Sequence, residues 1–186
     1  MALYSSLSKF GLLPDNHVPD VLEPGLTLVF CGTALGRQSA ERAAYYANPG
    51  NLFWRTLHEI GLTPRRFRPE EYPEILSLGI GLTDLCKTAY GNDAELPDDA
   101  LDRAALAKKI HRFQPDILAF TSKTGAACYL EKPTGTLAYG LQPEHAGATR
   151  IYVLPSPSGH ARRYWRLDIW QQLAQAFHAF RPQHMV

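Results

Sequence analysis

The sequence predicts an α/β fold built on a short, mostly parallel sheet with helices against both faces. Short apolar runs recur along the chain, each bounded by Pro or Gly, as buried strands are. Segments with apolar residues at helical spacing lie between them. The two kinds alternate, and a parallel strand pair needs a crossover connection that covers one face of the sheet.

The elements follow in order. Residues 1–18 carry an early Lys9 but no sustained apolar core or small-residue cleavage site, so they read as a surface extension rather than a signal peptide. A single domain is expected over residues 19–186. The first strand is expected at 26–31 (LTLVFC), entered from Pro24-Gly25 and ended by Gly32. A helix over 51–60 places Leu52, Phe53, Leu57 and Ile60 on one face, with Gly61 to terminate it. Residues 79–85 (GIGLTDL) form a weaker strand signal. A helix over 98–113 places Leu101, Ala105, Ile110 and Phe113 near helical spacing. Strands at 116–121 (DILAFT) and 150–154 (RIYVL) follow, separated by a helix at 123–130. The last helix, 166–180, repeats Leu167, Trp170, Leu173, Phe177 and Phe180. In open sheets of this kind ligands bind where strand C-terminal ends release their loops. Function is therefore expected just beyond Gly32, Leu85, Thr121 and Leu154.

The bulk properties narrow the classes. The 186 residues are 45% hydrophobic and 20% charged, ordinary values for one globular domain. A net charge of +1 gives no global positive field, so a nucleic-acid partner would have to be held by a local basic cluster. No run of 18 apolar residues exists, and no membrane span is expected. The three cysteines, Cys31, Cys86 and Cys128, are unpatterned and point to a reducing cytosol. They are too few for an ordinary iron–sulfur cluster, and no zinc-type spacing is present. No metal or cofactor is expected, and the chain is read as a cytoplasmic monomer.

Three loops carry chemistry. After the first strand, GTALGRQSAERAAYYANPGNLFW offers Gly32 and Gly36 for close backbone approach, the amides of Thr33 and Ala34, and the aromatic face of Tyr46. After the middle strand, Ser122 and Lys123 stand at a helix N-terminus, where an anion such as phosphate is favoured. After the last strand, PSPSGHARRYWR is short, rich in Ser, Pro and Gly, and ends in Arg162, Arg163 and Arg166. Such a basic loop suits a DNA groove.

On these residues the chain resembles a known family. FCGTALG…S…ANPGNLFWRTLHEIG is similar to the first signature of the mismatch-specific uracil/thymine-DNA glycosylases, FCGxNPG…S…HPxNxFW. LPSPSGHAR resembles their second, a VLPNPSGLSR-type loop before a helix. PDVLEPGLTLVF, GIGLTDL and ILAFTSK match in order, so the resemblance runs from about Pro19 to about Phe180.

The resemblance implies a three-layer α/β/α sandwich whose sheet edge holds a uracil pocket, and double-stranded DNA with a mismatched or damaged base as partner. Chemistry on a base inside a duplex requires extruding the nucleotide. By this likeness Gly32, Thr33, Ala34, Ser39, Tyr46 and Ser156 form the pocket: the Thr33 backbone contacts uracil, Tyr46 stacks on it, and Ser39 lies near C5. Ser158, Gly159, His160, Arg162 and Arg163 belong to a loop that wedges into the vacated stack, with Ser122 and Lys123 on the backbone. His160 replaces the family's Leu at the wedge tip, and Ser156 replaces an Asn. The larger departure is Ala34, where the family has an Asn that holds the hydrolytic water.

Loss of uracil builds positive charge on the sugar and negative charge on the base. A carboxylate near C1′ would stabilise the first and polarise water, and backbone N–H groups the second. Asp93, in a loop able to fold over the pocket mouth, is the first choice; Asp84, at a strand end, is the second. Neither signature contains a lysine, so a Schiff-base lyase step is not expected. Other readings remain to be separated. Ser156, Ser158 and His160 are close in sequence but lack a GxSxG elbow, and GTALG lacks the GxGxxG spacing of a dinucleotide site. A lesion binder that keeps the fold without cleaving is the alternative that Ala34 raises.

Overall fold

The computed structural model describes residues 18–97 and 99–180. The expected N-terminal extension lies outside the described residues except for Val18, as does Asp98. Among the described residues five strands form one sheet: β1 (Leu28–Gly32), β2 (Ile80–Asp84), β3 (Ile117–Phe120), β4 (Gly140–Ala146) and β5 (Thr149–Val153). Their order is β2-β1-β3-β5-β4. β1 pairs in parallel with β2 and β3, β3 pairs in parallel with β5, and β4 joins β5 antiparallel.

The helices are α1 (Arg37–Glu41), α2 (Phe53–Glu59), α3 (Arg103–Phe113), α4 (Lys123–Leu130) and α5 (Leu167–Phe180). Strand side chains alternate between two cores. Leu28 and Phe30 of β1 face the cluster containing Phe53 and Leu57 of α2 and Trp170, Leu173 and Phe177 of α5. Val29 and Cys31 face the cluster containing Leu106 and Ile110 of α3 and Ala126 of α4. Every residue of β1, β2 and β3 is buried, which is why these strands read as unbroken apolar runs rather than alternating ones. The result is the three-layer arrangement expected.

Two elements differ from expectation for physical reasons. β4 has no apolar run: its sequence GLQPEHA is half-exposed, and the pairing shifts register between Leu141 and His145, around Pro143. Proline cannot donate to a ladder, so it is confined to edge strands and bulges, and this is both. α3 starts at Arg103 because the Asp102 carboxylate caps it, accepting from the Ala105 amide at 2.8 Å. One short pairing extends the sheet at its other edge, where Val21 exchanges two 2.9 Å backbone hydrogen bonds with Leu82. Val18, Val21 and Leu26 thereby enter the core. No helix among the described residues is long and apolar enough to cross a membrane.

Candidate active site

The C-terminal ends of β1, β2, β3 and β5 all open into one cleft of about 1250 Å³. That is more than one base requires, since small-ligand pockets occupy roughly 300–1,000 Å³. Its wall contains Gly32, Thr33, Ala34, Ser39, Tyr46, Asp84, Asp93, Ser122, Lys123, Ser156, Ser158, Gly159 and His160. The loops after β1 and β5, more than a hundred residues apart in sequence, are locked together. The Leu52 amide donates to the Pro157 carbonyl at 2.8 Å, and a Cβ on Gly159 would stand 3.4 Å from the Gly50 carbonyl oxygen. Thr33 and Ser122 share a 2.8 Å hydroxyl–hydroxyl hydrogen bond that ties the loop after β1 to the start of α4. The Gly91 amide donates to Leu35 at 2.9 Å, closing the loop after β2 against the same frame.

The floor is made by Asp84. It is the last residue of β2, in register with Gly32 of β1, and only 3% exposed. A Cβ on residue 32 would overlap the Asp84 Oδ1 atom and lie 3.6 Å from the Tyr46 hydroxyl. Glycine at the end of β1 is thus what makes room for the carboxylate. Asp84 Oδ2 has no hydrogen-bond partner among the described residues. Burial pushes the Asp84 carboxyl up to about 6, with Asp20 adding to the rise and the cations of Lys87 and Lys109 opposing it. A buried polar oxygen left without a partner is uncommon and calls for a ligand or water to complete it.

Tyr46 forms the side wall. Its backbone sits in the left-handed region (φ 54°), rare for a bulky residue. Its ring stacks on Phe53 at a centroid distance of 3.8 Å and 16°, and its hydroxyl lies 3.3 Å from Thr121 Oγ1. Phe53 belongs to the NLFW block, whose next residue, Trp54, donates its indole N–H to the Tyr45 carbonyl at 3.0 Å. The block therefore braces the aromatic from behind. Asn51 Oδ1 accepts from the Phe53 amide at 2.9 Å and starts α2.

Several residues sit where their side chains already have structural work. Ser39 Oγ accepts from the Ala47 amide at 3.0 Å, buried beneath the loop. Ser122 Oγ caps α4, accepting from the Gly125 amide at 3.1 Å. Ser158 Oγ accepts from the His160 amide at 3.4 Å and Ser156 Oγ from the Ser158 amide at 3.3 Å. These are local loop bonds, and none of them is the serine–imidazole pair that a serine nucleophile uses. The Lys123 ammonium lies 4.6 Å from the centroid of the Tyr139 ring. Asp93 opens a short 3₁₀ turn, Asp93–Glu95, and stands exposed at the rim. Arg162 and Arg163 are exposed on the 3₁₀ segment Gly159–Tyr164, outside the cleft wall, with Arg163 stacked 4.6 Å over Tyr164. Sequence reasoning passed over Thr121, Tyr139 and Tyr164, which also line the cleft. Thr121 lies just past β3 and Tyr164 within the last loop, which was the available signal for these two; Tyr139 stands just before β4, an edge strand with no apolar run to announce it.

The chain is thus an α/β/α sandwich with a buried carboxylate and a braced aromatic at the strand ends, the place where open parallel sheets bind ligands. Over residues 19–177 the chain matches the profile of the Uracil DNA glycosylase superfamily. It belongs to that superfamily. Among solved structures it is similar to a protein from Methanosarcina acetivorans, determined by solution NMR and provisionally named a uracil DNA glycosylase. The TM-score is 0.60 at 25% identity, covering 86% of this chain and 96% of that one.

Proposed function

We propose that this protein is a monofunctional DNA glycosylase of the mismatch-specific type that extrudes uracil from a G·U pair and hydrolyses its N-glycosidic bond. The observation that carries the reading is Asp84: a buried carboxylate with an unpartnered oxygen, on the floor of a cleft shaped by the two signature loops. Superfamily membership supports the reaction class. On this reading the C1′–N1 bond breaks with its electron pair leaving on uracil, and ionised Asp84 stabilises the positive sugar. Water then adds at C1′ and gives its proton to the Asp84 carboxylate or to solvent. Tyr46 stacks on the extruded base, and backbone N–H groups near Thr33 and Ala34 face its developing charge. Asp84 takes the carboxylate role in preference to Asp93, because an exposed rim aspartate is solvated by water and has less field to offer a sugar cation. The loop carrying Gly159, His160, Arg162 and Arg163 is the proposed wedge, and Lys123 the proposed phosphate contact. Residues 19–186 are proposed as one catalytic domain preceded by an extension.

Ala34 favours one second reading. Its methyl group cannot hold a water, so a protein that binds the extruded base without cleaving is the alternative. Incubation with end-labelled G·U, A·U and single-stranded uracil oligonucleotides, followed by alkali, separates the two. Strand breaks at uracil in the G·U duplex are expected; tight binding without breaks would support the lesion binder.

A further inference from the structure

Behind the pocket lies a charged cluster that the reaction as described does not use. Asp20, in the segment just before β1, receives Lys87 Nζ at 3.0 Å and Lys109 Nζ at 2.6 Å. It also accepts from the Thr83 hydroxyl at 2.8 Å. Lys87 donates onward to the Val18 carbonyl at 2.8 Å and the Tyr45 hydroxyl at 3.0 Å. The three charged side chains are only 17–24% exposed. Each end of the cluster is one residue from a pocket group: Thr83 precedes Asp84, and Tyr45 precedes Tyr46.

Holding two cations and one anion this deep costs desolvation, and well-packed apolar residues hold a fold together as well or better. The cluster therefore calls for a role in which its charge matters. The groups that bear on Asp84 come from every neighbouring element: Asp20 from the N-terminal segment, Lys87 from the loop after β2, Lys109 from α3, Cys31 from β1, and Tyr45 and Tyr46 from the loop after β1. Burial pushes the Cys31 thiol and both tyrosine hydroxyls well up, so these three are neutral at ordinary pH. Only Asp20, Lys87 and Lys109 supply charge.

We propose that Asp20 is a positioning residue: held against Lys87 and Lys109, its charge offsets part of the pull of those two cations on Asp84 and so sets the pH range in which Asp84 works as a carboxylate. The inference rests on the reading of Asp84 given above. Its signature is a pair of opposite shifts from residues outside the cleft wall. Lys109→Met removes a cation, so Asp84 ionises at higher pH; Asp20→Asn removes an anion, so Asp84 ionises at lower pH.

The test is the acid limb of single-turnover uracil release from a G·U duplex between about pH 5 and 9. Titration of the Asp84 side-chain carbon by NMR in the free protein is the parallel readout. The limb and the titration are expected to move up by at least about half a pH unit in Lys109→Met, and down in Asp20→Asn. Both variants staying at the wild-type position, or both moving the same way, would overturn the proposal while leaving the glycosylase reading intact. Full activity in Asp84→Asn would instead remove that reading, with the carbon titration still reporting what Asp20 does. If Asp20→Asn melts below the assay temperature, Lys87→Met joins Lys109→Met, and both must move upward.

Discussion

At Asp84 a single carboxyl group links stability to chemistry. Its folded-state value of about 6 lies above the ordinary 3.8 because burial penalises the charge. The folded protein therefore keeps a proton that the unfolded chain has already released. The stabilisation this brings is complete below pH 3.8 and is lost as pH rises through about 6. The loss amounts to about 3 kcal/mol at neutral pH. Asp84→Asn should consequently melt above wild type at about pH 8 and near it at about pH 4, measured by calorimetry, while losing function. Activity is expected to run the other way, rising as pH passes through about 6, since on the proposed reading the ionised form is the one that stabilises the sugar cation. The sequence singled out both Asp84 and Asp93, and ranked the loop residue first. Burial is what favours Asp84 in the proposed reading, and GLTDL alone does not reveal that the side chain at the end of β2 turns into the cleft rather than toward solvent. The departure at Ala34 was legible from the sequence: where the resemblance implies a water-holding Asn, a methyl group can neither donate nor accept a hydrogen bond.

Among elements, the pairing of β1 with β2 does most to shape the site, because Gly32 and Asp84 are partners in register. Gly32→Ala is expected to destabilise the fold by roughly 1–3 kcal/mol and to displace the carboxylate, abolishing uracil release. In the double variant Gly32→Ala/Asp84→Ala the stability loss should be smaller than the sum of the single losses, read from denaturant unfolding. Additive losses would mean the two side chains do not compete for one space. The strands of the central sheet were visible as apolar runs because both faces are buried. β4 was not, since an edge strand carrying Pro143, Glu144 and His145 has no apolar period. Nor was the segment around Val21, whose pairing with Leu82 depends on a strand distant in sequence. Helix α3 was seen in substance and misjudged at its start, where the Asp102 cap rather than the apolar period sets the boundary.

For the whole molecule, a net charge of +1 gives no global positive field, so on the proposed reading DNA is held by a few local contacts and affinity should fall only modestly with salt. Each neutralised phosphate contributes about −0.9 to the slope of log affinity against log salt. Arg162→Ala should reduce that slope by about 1 while leaving the preference for uracil unchanged, measured by fluorescence anisotropy; an unaltered slope would take Arg162 out of the interface. What folded the two signature loops into one site was visible in outline from their order along the chain, but their contact through Leu52 and Pro157 required the assembled sheet. The claim on which the rest depends is that Asp84, at the floor of this cleft, is the carboxylate of a uracil-releasing reaction. Its most direct test is single-turnover uracil release from a G·U duplex by wild type and Asp84→Asn at about pH 8, with binding measured alongside. If Asp84 has this role, the variant's rate is at least about 100-fold lower with DNA affinity retained; an equal rate in the two proteins would contradict it.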